Sequence, residues 1–348
     1  MRAGHAVTLW RHCNPEEAGF APDLVERLEA GLRSGLLPQV HAVLVARGEA
    51  MVVERYLHGQ DEIWGEPIGE VAFGPDTPHD LRSISKSIVG LLYGIALARG
   101  QVPPPHTPLL ACFPEHADLA DAMRDQITVA HALCMTLGIA WDETLPYTDP
   151  ANSERMMYDA PDPVRYVLSR PMREAPGQVW RYCGGATLLL GALLERGTGE
   201  ALPVLAERLL FAPLGIRSAI WSGGTHGPAA ASGLRLTARD LLRVGRMIAE
   251  GGQDIVPAAW LEASLTPAAT VEESVAYGRQ FFLGNARDGA GRRLDWAAGF
   301  GNGGQRLWIA PGPGILCVVF CGRYNQADAW ITPTRLWREI VLQNFVGS

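Results

Sequence analysis

The spacing of apolar positions changes several times along the chain, and the changes divide it into segments. From Pro22 to Leu36, leucines at 24, 28 and 32 fall on one helical stripe, with a proline suited to the first turn. From His41 to Leu57 the pattern is that of a hairpin. Ala42–Val45 is apolar, Arg47-Gly48-Glu49 supplies a turn, and Met51–Val53 returns. Gly59 to His79 is rich in Gly, Pro and Asp and predicts a loop. A strongly apolar helix follows, opening near Ser83 and running to about Arg99, with Gly100 placed to end it.

From Val102 to about Leu214 the strand signal nearly vanishes. Ile127–Met135, Pro163–Leu168 and Gly185–Arg196 predict helices, and Gly138–Asn152 predicts a loop. Strands return with Gln280–Leu283, Arg306–Ile309 and Ile315–Phe320, separated by turns rich in Gly and Pro, and Thr332–Phe345 closes the chain as a helix. Short turns imply antiparallel neighbours. The expected fold class is therefore α+β within a single domain of residues 1–348. Its α/β part is built from both chain ends, roughly 1–101 and 215–348, around an inserted all-helical lobe at roughly 102–214.

Composition narrows the class. The chain is 47% hydrophobic and 19% charged, with a net charge of −7, which describes an ordinary globular protein and argues against a nucleic-acid partner. No run approaches the roughly 20 apolar residues that cross a bilayer, and Met1–Phe20 has no apolar leader core, so no membrane partner is expected and the default location is cytoplasmic. Six cysteines form no C-x-x-C pair and read as reduced thiols.

Among 30 lysines and arginines, Lys86 is the single lysine. Arginine is effectively never deprotonated, so one retained lysine suggests a proton to accept and return. Ser83 lies one helical turn before it on the same face, whereas Ser85 and Ser87 point elsewhere. A helix N-terminus there adds positive potential, which predicts a lowered lysine pKa and support for a nascent alkoxide. Two further stretches carry possible chemistry. Pro176–Gly185 delivers Tyr182 on a turn, with Cys183 and two glycines behind it, and a phenol can relay protons with a lysine and a serine. Gly299-Phe300-Gly301-Asn302-Gly303-Gly304-Gln305 spells G-x-G-x-x-G, but a strand follows where a dinucleotide site needs a helix. Its backbone N–H groups suit an oxyanion instead.

Together Ser83-x-x-Lys86, Tyr182 and the glycine-rich stretch resemble the serine β-lactamase and penicillin-binding-protein superfamily, and more closely its class C-like branch of esterases and 6-aminohexanoate-dimer hydrolases. Ile127–Ile139 and Ser232–Asp240 look like structural landmarks of that family. The resemblance implies a mainly antiparallel sheet flanked by helices, with the site between sheet and helical lobe. It implies Ser83 as nucleophile, neutral Lys86 as base and Tyr182 as relay, with the backbone N–H groups of Ser83 and Asn302 as oxyanion hole. Trp141, Tyr147, Cys183 and Gly303 are the implied substrate contacts.

Departures from the family pattern steer the substrate. Tyr182-Cys183-Gly184 replaces Tyr-x-Asn, and a single lysine leaves none for the Lys-Thr-Gly strand, with Arg306 the nearest cation in sequence. Both favour small esters or linear amides over β-lactams and D-Ala-D-Ala peptides. Keeping serine, lysine and tyrosine together speaks against a non-catalytic binding module. No His-Glu-x-x-His, G-x-S-x-G or phosphate-loop pattern is present, so neither metal nor cofactor is expected. The assembly is left open, a homodimer included.

Overall fold

The computed structural model describes residues 10–347; residues 1–9, part of the stretch read above for a leader, lie outside the described residues. The first helix, α1, is Leu24–Arg33, with Leu24 and Leu28 buried on the expected stripe. Strands β1 (Val40–Arg47) and β2 (Ala50–Tyr56) form the expected hairpin. The segment expected to be a loop instead holds a second hairpin, β3 (His58–Ile63) with β4 (Glu66–Ala72). Its residues are mostly exposed or half-buried, so it carries no apolar period, and its backbone ladder holds it together. Helix α2 (Ile84–Ala98) follows.

In the middle of the chain, Val129–Leu133 and Pro163–Leu168 are helical, close to the expected bounds. Helix α3 (Ser153–Asp159) starts where the loop was expected to end, with Asn152 capping the N–H groups of Glu154 and Arg155. Helix α4 (Gly184–Thr198) ends at Gly199, which adopts the left-handed conformation that glycine reaches without strain. Helix α5 (Ala238–Ala249) is capped by the Thr237 side chain.

Strands β5 (Phe282–Arg287), β6 (Arg293–Gly301), β7 (Gln305–Ala310) and β8 (Ile315–Cys321) complete the main sheet. Its central order is β2-β1-β8-β7-β6-β5, extended by Arg11–His12 beside β2 and by Val275–Tyr277 and Ala269–Glu272 beyond β5. All pairs are antiparallel except the one made by Arg11–His12. Helix α6 (Ile331–Arg335) continues through irregular turns to Asn344.

Alternation along the strands gives the sheet two apolar faces. Leu44, Leu307, Ile309, Leu316 and Val318 pack with α2, α4 and α5, whereas Val43, Val45, Trp308, Cys317 and Val319 pack with α1 and the C-terminal turns. Helix α2 is buried from Ile84 to Ala96, enclosed by α4 on one side and β6 on the other. The sequence pattern missed β6 because small residues dominate its end. Those residues let α2 lie directly against the strand. A Cβ at Gly301 would stand 2.3 Å from the Leu81 carbonyl, and one at Gly299 would stand 3.0 Å from Ile84. The front of α2 is thus pressed against the β6–β7 turn.

Candidate active site

Ser83 is the N-cap of α2, and the residue before it is strained. Arg82 has φ +49°, a left-handed conformation that costs a non-glycine residue about 1–2 kcal/mol. Its side chain is gripped on three sides: an ion pair with Glu62 of β3, a second at 3.1 Å with Asp80, and the Tyr324 ring 4.9 Å beneath the guanidinium. These contacts hold the turn that aims Ser83 out of the helix. The neighbouring serines are occupied elsewhere: Ser85 Oγ donates to the Arg82 carbonyl, and Ser87 Oγ to that of Gln280.

Lys86 lies one turn on, 1% exposed. Its Nζ donates to Ser83 Oγ at 2.9 Å and to the Ala231 carbonyl at 3.1 Å. The Tyr182 ring centre is 4.9 Å from the same nitrogen, and Tyr182 and Ser83 line the same hollow. The structure therefore brings Ser83, Lys86 and Tyr182 together.

Two carboxyl groups join them that sequence reasoning passed over. Glu154 Oε2, from the first turn of α3, is 3.6 Å from Lys86 Nζ. Glu143 accepts from Trp141 Nε1 at 2.5 Å, from the Tyr147 hydroxyl at 2.9 Å and from the Gly184 N–H. Burial, with Glu154 as neighbour, pushes the Glu143 carboxyl up to about 8, so at neutral pH the pair holds a proton. Burial works against the Lys86 ammonium, but Glu154, Tyr182 and Glu143 more than offset it and raise the lysine above its ordinary value. The lowered lysine pKa expected from the helix N-terminus is thus reversed, because buried carboxylates lie closer than any helix dipole acts. Tyr182 is also raised, chiefly by burial, and stays a neutral phenol.

Ser83 opens into two adjoining hollows. One, of about 380 Å³, is lined by Tyr147, Trp180, Tyr182, Phe282, Phe300, Arg306 and the Gly301–Gly304 turn. The other, of about 390 Å³, is lined by Trp64, Arg82, Glu154, Arg155, Tyr158 and Ser232. Tyr147 and Asn302 stand on the wall of both, and Gly303 lines the first. Trp141 and Cys183 line neither. Trp141 is turned inward to hold Glu143, and Cys183 is 2% exposed with its thiol pushed well up by burial. As substrate contacts, both are corrected to supports behind the wall. The Asn302 side chain is tied to Asn325 in both directions at 2.8 Å, and the backbone N–H groups of Ser83 and Asn302 have no acceptor among the described residues.

This geometry can be set beside known proteins. The Beta-lactamase family model matches residues 36–341. The chain belongs to the Beta-lactamase family. Within the family, it is 28% identical over 345 residues to the 6-aminohexanoate-dimer hydrolase of Paenarthrobacter ureafaciens, covering 91% of this chain and 78% of that enzyme. It is 30% identical over 212 residues to esterase EstB of Burkholderia gladioli, which covers 57% of this chain and 51% of the esterase. Among solved structures, EstCE1, a hydrolase with promiscuous acyltransferase activity, superposes with a TM-score of 0.68 at 16% identity, over 92% of this chain and 97% of its own. That likeness establishes the β-lactamase-type fold.

One cluster in this family member has the residue types of a metal site: His41, Asp61 and His79, all buried. Its hydrogens are already used. His79 Nδ1 donates to the Asp80 carbonyl at 3.0 Å, which leaves Nε2 to accept from His41 Nδ1 at 2.9 Å. Asp61 accepts from Tyr324 at 2.8 Å and has Arg235 at 3.8 Å, so its charge is answered. Burial lowers both imidazoles to about 3 and keeps them neutral. The cluster braces Tyr324 against Arg82 and the Gly301–Gly304 turn. Among the described residues, no helix is long and apolar enough to cross a membrane.

Proposed function

We propose that this chain is a serine hydrolase that cleaves small carboxylic esters or linear amides through an acyl-enzyme on Ser83. The observation that carries the reading is the 2.9 Å contact between Lys86 Nζ and Ser83 Oγ at the mouth of a cleft that Tyr182 also lines. A hydroxyl bonded to a buried amine, with a phenol beside that amine, is an activated nucleophile with groups at hand to carry its proton. The named activities of the 6-aminohexanoate-dimer hydrolase and esterase relatives support it.

In this mechanism the carbonyl oxygen of the substrate takes the free N–H groups of Ser83 and Asn302. Lys86 must first give up a proton. Glu154, at 3.6 Å, is the nearest carboxylate to take it as substrate displaces water from the cleft. Neutral Lys86 then accepts the Ser83 proton while Oγ forms its bond to the carbonyl carbon. Tyr182 passes a proton to the leaving oxygen or nitrogen as that bond breaks. Water then attacks the acyl carbon, and the same groups return the proton to Ser83 Oγ. Six free thiols suit a reducing compartment, and the proposed location is cytoplasmic.

Ser83→Ala is the direct test. Hydrolysis of p-nitrophenyl butyrate should fall by about 10³-fold or more, with unchanged thermal stability. Wild-type turnover by the variant would overturn the assignment. A panel adding nitrocefin, a D-Ala-D-Ala peptide and the linear aminohexanoate dimer ranks the substrates, and strong nitrocefin turnover with no ester cleavage would reverse the preference.

A further inference from the structure

Two consecutive residues of β3 reach toward the two N–H groups that await the substrate carbonyl. Glu62 pairs with Arg82, the residue before Ser83. Asp61 accepts from the Tyr324 hydroxyl at 2.8 Å. Neighbours along a regular strand point to opposite faces. Here the hairpin register slips between Asp61 and Glu62, where Ile68 of β4 has no partner, and such a slip bends a strand and re-aims its side chains.

Tyr324 carries the second link. It lies just past β8, in a segment that runs beside the β6–β7 turn. The Arg323 N–H donates to the Gly303 carbonyl at 3.1 Å, and the Asn325 N–H to the Asn302 side chain at 2.8 Å. Between them the Tyr324 ring fills the space at Gly303, where a Cβ would stand 2.6 Å from its Cδ1. The same ring lies 4.9 Å from the Arg82 guanidinium. One side chain thus touches both the residue before Ser83 and the residue after Asn302. Gly303 and Gly304 both have positive φ, and a turn built on glycine has little stiffness of its own, so what packs on it sets where the Asn302 N–H points. Asp61 is itself fixed: it is buried, with His79 at 3.7 Å and Arg235 at 3.8 Å.

We propose that Asp61, Glu62 and Tyr324 are positioning residues that set the spacing of the Ser83 and Asn302 N–H groups, so that the β3–β4 hairpin acts as a calliper on the oxyanion. This rests on the serine-hydrolase reading and adds to it a determinant of rate outside the cleft. None of the three lines either hollow, so a loss on their replacement is not a lost substrate contact. Donors must stand within a few tenths of an ångström of the place the oxyanion takes, which makes their spacing a matter of kcat and hardly of KM.

The test compares p-nitrophenyl butyrate with its thiono counterpart, in which sulfur replaces the carbonyl oxygen. Sulfur is larger and accepts hydrogen bonds weakly, so a well-spaced pair of donors should favour the oxo ester by about 100-fold or more in kcat/KM. Each ratio is taken on one preparation and does not depend on how much of it is folded. Tyr324→Phe keeps the ring and removes its bond to Asp61, and Glu62→Gln weakens the hold on Arg82. Each should lower kcat on the oxo ester by about tenfold, keep KM within about twofold, and shrink the oxo-to-thiono ratio by about fivefold or more. Asp61→Asn, whose amide oxygen still accepts from Tyr324, should keep more of the ratio than Asp61→Ala. Residues that merely supported the fold would slow both esters alike, and an unchanged ratio in either Tyr324→Phe or Glu62→Gln would overturn the two-armed role. Cleavage of neither ester by the wild type is a separate outcome, which sinks the hydrolase reading on which the role rests.

Discussion

Glu154 Oε2 and Lys86 Nζ lie 3.6 Å apart, and both side chains are almost wholly buried. The pairing makes Lys86 an ammonium at rest and ties its release to the state of two carboxyl groups. Replacing Glu154 by Gln removes a negative charge that holds the proton on Lys86. The lysine pKa then falls, and neutral Lys86 appears at lower pH. The rising limb of kcat/KM against pH should move to the acid side in Glu154→Gln, whatever happens to its height. A limb that stays in place would show that Glu154 does not set this ionisation. The apparent value belongs to the cluster and to no single member.

Lys86 itself separates charge from proton transfer. Lys86→Arg keeps a cation beside Glu154 but loses the removable proton, so activity on p-nitrophenyl butyrate should fall by about 10³-fold or more. Lys86→Met also strands the Glu154 charge, and stranding one member of a buried pair costs about 3–5 kcal/mol. Thermal melts should therefore rank wild type and Lys86→Arg above Lys86→Met.

Glu143 gives a stability signature. Its folded pKa of about 8 stands above the ordinary 4.5, so between these values the unfolded chain releases a proton that the folded protein retains. The contribution is favourable in full below about pH 4.5 and is lost as pH rises through about 8. In Glu143→Gln this decline is absent. The melting temperature of wild type should drop relative to the variant across that window, as followed by circular dichroism.

Gly184 marks the tightest point behind the site. A Cβ there would lie 2.4 Å from Glu154 Oε2 and 3.1 Å from Glu143 Oε1. Gly184→Ala should destabilise by about 1–3 kcal/mol in urea unfolding and should also lower kcat, because the carboxyl that moves is the one facing Lys86. A destabilised variant with unchanged kcat would separate packing from chemistry here.

What the sequence revealed, and what it hid, follows from the physics of each residue. Ser83, Lys86 and Tyr182 were legible because a helical turn fixes the first two on one face, and because the chain has a single lysine. Glu143 and Glu154 were not, being two among 37 acidic residues, and only the fold brings them beside Lys86. Asn152-Ser153-Glu154 did carry a capping signal for α3, which would have placed Glu154 in a helical first turn. The glycine-rich stretch reads as lying directly before a strand, and it is the end of β6 with the turn into β7. Strand β6 escaped because glycine and alanine give no alternation to see, and their smallness is what admits α2. The family resemblance makes Trp141 a substrate contact, but its indole N–H has the Glu143 carboxyl to satisfy.

The left-handed backbone at Arg82 bears on the order in which this molecule would fail when heated. The turn that presents Ser83 is held by Glu62, a residue of the outlying β3–β4 hairpin, while the rest of α2 is locked in the core. Fraying of that hairpin removes one of the three grips on Arg82 and loosens the turn that holds Ser83 in place. Inactivation should therefore begin several degrees below the loss of helical signal and reverse on cooling, as a local event that precedes global melting.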